Sequence, residues 1–215
     1  MSLIGFALVL SIFLLYFIIL SKFKLLNDDI FSSQHKNLTS SNRSPILLGG
    51  LYLLTTLLIF APYDLYSLKL IFLFITFLGF MSDKNFLPNP RLRLILQILI
   101  IFLLVYITQL RIIDLRIEIL NSILSNNLIN LVFTTFCLAI IINGSNFIDG
   151  LNGLLAGYAI LILISLFCLS ANQTYVILPD NDFLKVILFS LLIFSLFNIF
   201  GYVYLGDSGS YLLSM

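Results

Sequence analysis

Apolar residues run through this chain in long blocks separated by short polar stretches. A membrane-spanning helix needs about 20 mostly apolar residues. Seven blocks approach that length: 2–20, 45–61, 66–82, 92–110, 128–142, 151–170 and 183–203. The second and third are short, and only Pro62, Asp64 and Lys69 divide them. An eighth block starts at Tyr211 and stops at Met215, so the chain reads as one transmembrane domain over 1–215, truncated at its C-terminus. The connection 111–127 has another rhythm. Ile113, Leu115, Ile117 and Ile119 alternate with Asp114, Arg116 and Glu118. Period two predicts a short strand or an interfacial segment. The expected fold is an all-α polytopic membrane protein with about seven complete transmembrane helices, the start of an eighth and one short extracytoplasmic strand-like segment.

Composition strengthens this picture. The chain is 60% hydrophobic and 10% charged, with a mean hydropathy of +1.12, whereas a soluble domain carries about 25% charged residues. A polar surface cannot be built from so few charges. The net charge of +1 gives no electrostatic footprint for nucleic acid. Cys137 and Cys168 lie inside apolar blocks and read as small packing residues. The first block has no basic leader and no small-residue cleavage site, which predicts a retained helix and not a signal peptide.

Charge also suggests an orientation. With seven spans, the connections 21–44, 83–91, 143–150 and 204–210 share one side. Lys22, Lys24, Lys36, Arg43, Lys84 and Arg91 lie there, with Arg93 just inside the next span; Lys69, Arg111, Arg116 and Lys185 lie on the other side. The basic excess predicts that the first side is cytoplasmic and the N-terminus extracytoplasmic.

The polar clusters fall on that same side. In FMSDKNFLPNPRLRLILQ (80–97), Asp83 ends a helix and Arg91 and Arg93 open the next. A carboxylate beside two guanidiniums can orient a phosphate; taken alone, an ordinary helix-end anchor with arginines at the interface is the plainer reading. In NGSNFIDGLNG (143–153), Asn143, Asn146 and Asp149 are spaced by three, which on a helix gathers their oxygens on one face. Hard cations such as Mg²⁺ take oxygen ligands of this kind; a helix C-terminus with an Asp-Gly turn is the plainer alternative. In YLGDSGSYLL (204–213), Asp207 stands among Gly206, Ser208, Gly209 and Ser210. Small residues expose backbone N–H groups to an anion while the carboxylate holds a metal, or the stretch is a polar turn. The opposite connections hold Asp64, Asp114, Glu118, Asp180 and Asp182 but no glycine. Glycine-bearing acidic clusters on one side only favour a metal-plus-phosphate site at a membrane surface.

Three of these stretches resemble signatures of the polyprenyl-phosphate N-acetylhexosamine-1-phosphate transferases, the superfamily of the undecaprenyl-phosphate GlcNAc-1-phosphate and phospho-muramoyl-pentapeptide transferases. They are N-x-x-N-x-x-D-G-x-x-G (143–153), Y-L-G-D-S-G-S (204–210) and GFMSDKNFLPNPRLRLILQ (79–97); SPILLGG (44–50) is similar to the stretch before the family's second span. The resemblance implies transfer of a sugar-1-phosphate, an N-acetylhexosamine-1-phosphate, from a UDP-sugar to a polyprenyl (undecaprenyl) phosphate, with release of UMP. It implies Mg²⁺, or Mn²⁺ in its place, and a setting in cell-wall, lipopolysaccharide or other envelope synthesis at the bacterial inner membrane, and it allows a homodimer. It casts Asp83, Asp149 and Asp207 as catalytic, Asp207 and Asn146 as metal ligands, and Asn143, Asn146, Arg91, Arg93, Gly206, Gly209 and Ser210 as substrate-binding. Two departures stand out. Ser82 occupies the position of the first of the family's paired aspartates, and a hydroxyl does not replace a carboxylate's charge. The family's His-rich loop has no counterpart before Met215; His35, the only histidine, lies in the 22–44 loop and reads as solvated. An inactive family member is therefore an alternative reading. A membrane transporter is another, although its charges would sit at mid-span.

Overall fold

The computed structural model describes residues 3–23, 46–62, 65–171 and 181–215. His35, most of the 22–44 loop, Asp64 and Asp180 lie outside them. In chain order the elements are α1 (Leu3–Phe23), β1 (Ile46–Leu47), α2 (Gly49–Phe60), α3 (Tyr66–Asp83), α4 (Pro90–Thr108), α5 (Glu118–Leu124), α6 (Asn127–Ile148), α7 (Leu154–Ala171), α8 (Asn181–Ile199), β2 (Val203–Tyr204) and α9 (Gly206–Leu213). Each predicted apolar block is a helix in this all-α membrane protein. Five stretches are long and apolar enough to cross a membrane: Leu3–Phe23, Tyr66–Asp83, Pro90–Thr108, Asn127–Ile148 and Asp182–Ile199. Gly49–Phe60 and Leu154–Leu169 are shorter apolar helices. The long helices are apolar on their outward faces too, as Leu15 and Ile18 on α1 and Phe74 and Phe77 on α3 show. A helix that is apolar all round belongs in lipid.

Polar residues set the helix ends. Asn89 opens α4: its side chain accepts the Arg91 N–H at 3.0 Å, and Pro90 takes the first helical position, where a missing N–H costs nothing. Asn126 opens α6 by accepting the N–H groups of Leu128 and Ile129. Buried Asn130 ties the preceding connection to α6. It accepts the Ile112 N–H at 3.1 Å and donates to the carbonyls of Ile112 and Leu124.

That connection corrects one expectation. Residues 113–117 are not a strand, and α5 begins at Glu118. The alternating isoleucines lack a partner strand among the described residues, and an unpaired strand leaves its backbone groups unsatisfied. The backbone instead turns at Arg116, where φ is +58°. The Asp114 carboxylate accepts the Arg116 N–H at 2.7 Å and the Asn121 amide at 2.6 Å. These bonds hold the Asp114 carboxyl below the usual carboxylate range. The strand pairing lies elsewhere: β1 and β2 pair in parallel, Ile46 with Val203 and Leu47 with Tyr204.

Two buried clusters organise the bundle. One joins α1, α2, α7 and α8 through Val9, Phe13, Tyr52, Leu155, Leu191 and Phe194. The other joins α3, α4 and α6 through Ile75, Ile101, Leu104 and Ile142. α9 sits between them, with Leu212 in the first cluster and Tyr211 in the second. The C-terminal ends of α3, α6 and α8 and the N-terminal ends of α2, α4, α7 and α9 therefore meet at one end of the bundle.

Candidate functional site

The site is assembled around the first turn of α9. A helix N-terminus has N–H groups without intrahelical partners. Here Asp83, the last residue of α3, supplies them: the Asp207 N–H donates to its Oδ1 at 2.7 Å and the Ser208 N–H to its Oδ2 at 3.2 Å. The anion at this helix end is thus a side chain of the protein itself. Gly206 makes the approach possible. Its φ is +70°, and a Cβ there would stand 2.7 Å from Asp83 Oδ2.

Asp207 turns its side chain to the opposite partner. Arg93 Nη1 lies 3.1 Å from Asp207 Oδ2. The Ser82 hydroxyl sits between them, donating to Asp207 Oδ2 and accepting from Arg93 Nη1. Tyr211, further along α9, is buried in the α3–α4–α6 cluster. The Arg93 and Asp207 side chains retain 31% and 24% of their exposure, so the pair remains open to a ligand. One turn below Arg93, Gln97 is buried and its Nε2 has no hydrogen-bond partner.

Asn146 enters from α6. The Ser210 hydroxyl, fully buried, lies 3.0 Å from Asn146 Oδ1 and 3.2 Å from the Asp207 carbonyl oxygen. One hydroxyl therefore links the Asn146 amide to the residue that carries the half-buried carboxylate. Asp83, Arg93, Asn146, Asp207 and Ser210 come together from four helices. Asn143 turns aside: its amide donates to the Ala139 carbonyl of its own helix at 2.8 Å. Asp149 is the half-buried C-cap of α6, and Arg91 is exposed.

The glycines have uses that the sequence does not announce. A Cβ on Gly79 would lie 2.7 Å from the Asp207 carbonyl carbon, one on Gly50 2.8 Å from the Gly209 nitrogen, and one on Gly49 2.7 Å from Leu205 Cα. At Gly209, expected to give a substrate room, a Cβ would instead stand 2.6 Å from Leu205 Cδ2 and 3.0 Å from the Gly50 nitrogen. α2, α3 and α9 pack backbone to backbone at the site. Asn198 was also missed. Its Oδ1 accepts the Gly153 N–H at 2.6 Å and its Nδ2 donates to the Val203 carbonyl at 2.7 Å, tying the start of α7 to β2. A lone buried asparagine near the end of an apolar helix was its sequence signal. Beside the cluster an apolar groove of about 530 Å³, walled by Leu20, Leu51, Leu54, Leu73, Phe77 and Phe80, ends at Lys84, the residue after Asp83.

Residues 65–215, well over half of the chain, match the family model described as glycosyl transferase family 4. No curated protein matches the chain.

Proposed function

Because the chain belongs to glycosyl transferase family 4, whose members move sugar phosphates onto polyprenyl phosphates, we propose that it transfers N-acetylhexosamine-1-phosphate from a UDP-sugar to undecaprenyl phosphate at the cytoplasmic face of the bacterial inner membrane. UMP leaves, and the product feeds envelope polysaccharide or peptidoglycan synthesis. The observation that carries this reading is the meeting of Asp83, Arg93, Asn146 and Asp207, from three separated stretches of sequence, around the first turn of α9.

The donor set fits Mg²⁺. The Asp207 carboxylate and the Asn146 amide oxygen are hard oxygens on two residues that the Ser210 hydroxyl links, through Asn146 Oδ1 and the Asp207 carbonyl oxygen, and Mg²⁺ keeps waters and phosphate oxygens as its other ligands. Among the described residues no cluster of three or more His, Cys, Asp or Glu could hold a metal ion, so the ion would arrive largely in the hands of the donor diphosphate. When bound, it supplies neutralisation of the charge that develops on the departing UMP.

The chain's residues supply position and charge. The lipid phosphate is already an anion at neutral pH, so it needs alignment more than a base. Its oxygen forms a bond to the sugar-bearing phosphorus while the bond from that phosphorus to the UMP oxygen breaks, in line. Arg93 is placed to bind phosphate oxygens with its planar fork. Asp83, with both oxygens accepting from α9, is a positioning residue that aims Asp207. Arg91 and Asp149 stand at the rim for the outer parts of the donor. The acceptor tail lies along lipid-facing helix surfaces, of which the groove ending at Lys84 opens beside Asp83.

The test is UMP release by the purified protein in lipid, with UDP-N-acetylglucosamine and undecaprenyl phosphate. Asp207→Asn is expected to lower the rate by about a hundredfold or more, the scale for losing one charge-stabilising group, with unchanged thermal unfolding. Wild-type rates in Asp207→Asn would overturn the assignment. Absence of UMP release in the folded wild type, with any UDP-hexosamine, favours the inactive reading that Ser82 raises.

A further inference from the structure

Asp207 Oδ2 is claimed twice, by the Arg93 guanidinium and by the Ser82 hydroxyl. Accepting the proposed role of Asp207 as metal anchor, we propose that Arg93 is a latch: it holds the Asp207 carboxylate while the site is empty and yields it to the metal only when the donor diphosphate draws the guanidinium away.

Three observations support this. First, a cation set on the Asp207 carboxylate would stand close to a fixed guanidinium, and like charges at that range repel strongly where water is partly excluded. Second, the two side chains are accessible enough for an incoming ligand to reach them. A diphosphate offers Arg93 several anionic oxygens and a bidentate geometry, which one carboxylate oxygen shared with Ser82 does not. Third, Ser82 is neutral and short. It keeps the Asp207 side chain in place after Arg93 leaves, without adding a charge that would hold the arginine back. The neighbouring anchors do not compete for Arg93: Asp83 is engaged by the Asp207 and Ser208 N–H groups, and Asn146 by Ser210. Metal and nucleotide then enter as one unit, and metal alone binds poorly.

The test reads metal binding and not turnover. Mn²⁺ is titrated against the full chain in lipid nanodiscs, with and without UDP, and free Mn²⁺ is followed by its paramagnetic resonance signal. Arg93→Gln is expected to bind Mn²⁺ without UDP on the order of tenfold more tightly than wild type, because removing a neighbouring like charge favours the cation. The gain that UDP gives should shrink in the same variant. Asp207→Asn is the control for the underlying reading. If it binds Mn²⁺ with UDP as well as wild type does, the metal anchor lies elsewhere and the functional assignment fails at that point. If it loses Mn²⁺ while Arg93→Gln binds no more tightly than wild type in the absence of UDP, the latch alone is overturned. Should Arg93→Gln not fold, an experimental structure of the wild type with UDP and Mn²⁺ decides: Arg93 turned from Asp207 onto the diphosphate supports the latch, and Arg93 still on Asp207 Oδ2 overturns it.

Discussion

Gly206 shows how much a single residue can be asked to do. Its left-handed φ of +70° is strained for any side chain, and a Cβ there would meet the Asp83 carboxylate. Gly206→Ala is therefore expected to cost about 1–3 kcal/mol through backbone strain and lost helix capping. Thermal unfolding in detergent would register it. Gly144 is the comparison, since it lies within α6 and a Cβ there meets nothing within 4 Å. Gly144→Ala should leave the midpoint unchanged or raise it, because alanine is the better helix former by about 1 kcal/mol. Equal losses in both variants would contradict the account of Gly206. The sequence pointed to Asp207, Asn146 and Arg93 through their motifs, and the structure gathers them. The resemblance cast Gly206 and Gly209 as substrate-binding but could not show that Asp83 and α2 stand over them, because a glycine in a sequence does not say whether a substrate or a neighbouring helix fills the space above it. Nor could spacing show that Ser82 bridges Arg93 and Asp207, a relation between three helices.

At the scale of elements, α9 depends on α3 for its start. Asp83→Ala leaves the Asp207 and Ser208 N–H groups without their acceptor, at a cost of about 1–3 kcal/mol. Asp83→Asn keeps one oxygen and should lose less. If Asp83 acts by positioning, transfer activity and thermal stability decline together across the two variants. A fully stable Asp83→Asn with no transfer would instead assign Asp83 to direct work on the substrate. The helices themselves were legible because apolar length is a strong signal in a membrane protein, and boundaries moved only by a few residues: α6 runs on to Ile148, so Asn143 and Asn146 are helical. The alternating stretch from Ile113 to Ile119 misled because period two is necessary for a strand but not sufficient. Pairing requires a neighbour, and the sequence shows none. The β1–β2 pair was invisible for the opposite reason: two residues on each side carry no periodicity at all.

For the whole molecule, the ends of the bundle are distinct, and their orientation in the membrane is open to a direct experiment. The end that holds Asp83, Asn146 and Asp207 also carries Lys84, Arg91 and Arg93, while Arg111, Arg116 and Lys185 mark the other. Those six residues balance; the basic excess, seven against four, comes from adding Lys22, Lys24, Lys36 and Arg43 in the sequence of the 21–44 connection to the first set and Lys69 to the second, and such an excess predicts the cytoplasmic side, where UDP-sugars are made. Asn85 and Asn152 are exposed at the site end, and Ser122 on α5 is exposed at the far end. With Cys137 and Cys168 first changed to alanine, Asn85→Cys and Asn152→Cys should react with a membrane-impermeant maleimide only after the inner membrane is opened. Ser122→Cys should react in intact cells. Reaction of all three from the same side would contradict the bundle itself, since Asn130 ties the α5 connection to the end of α6 remote from Asn146. A clean reversal would leave the bundle and the site cluster intact but place the carboxylates away from the nucleotide pool. That result would remove the donor from the proposed reaction, and with it the role of Arg93 as the group that greets a diphosphate.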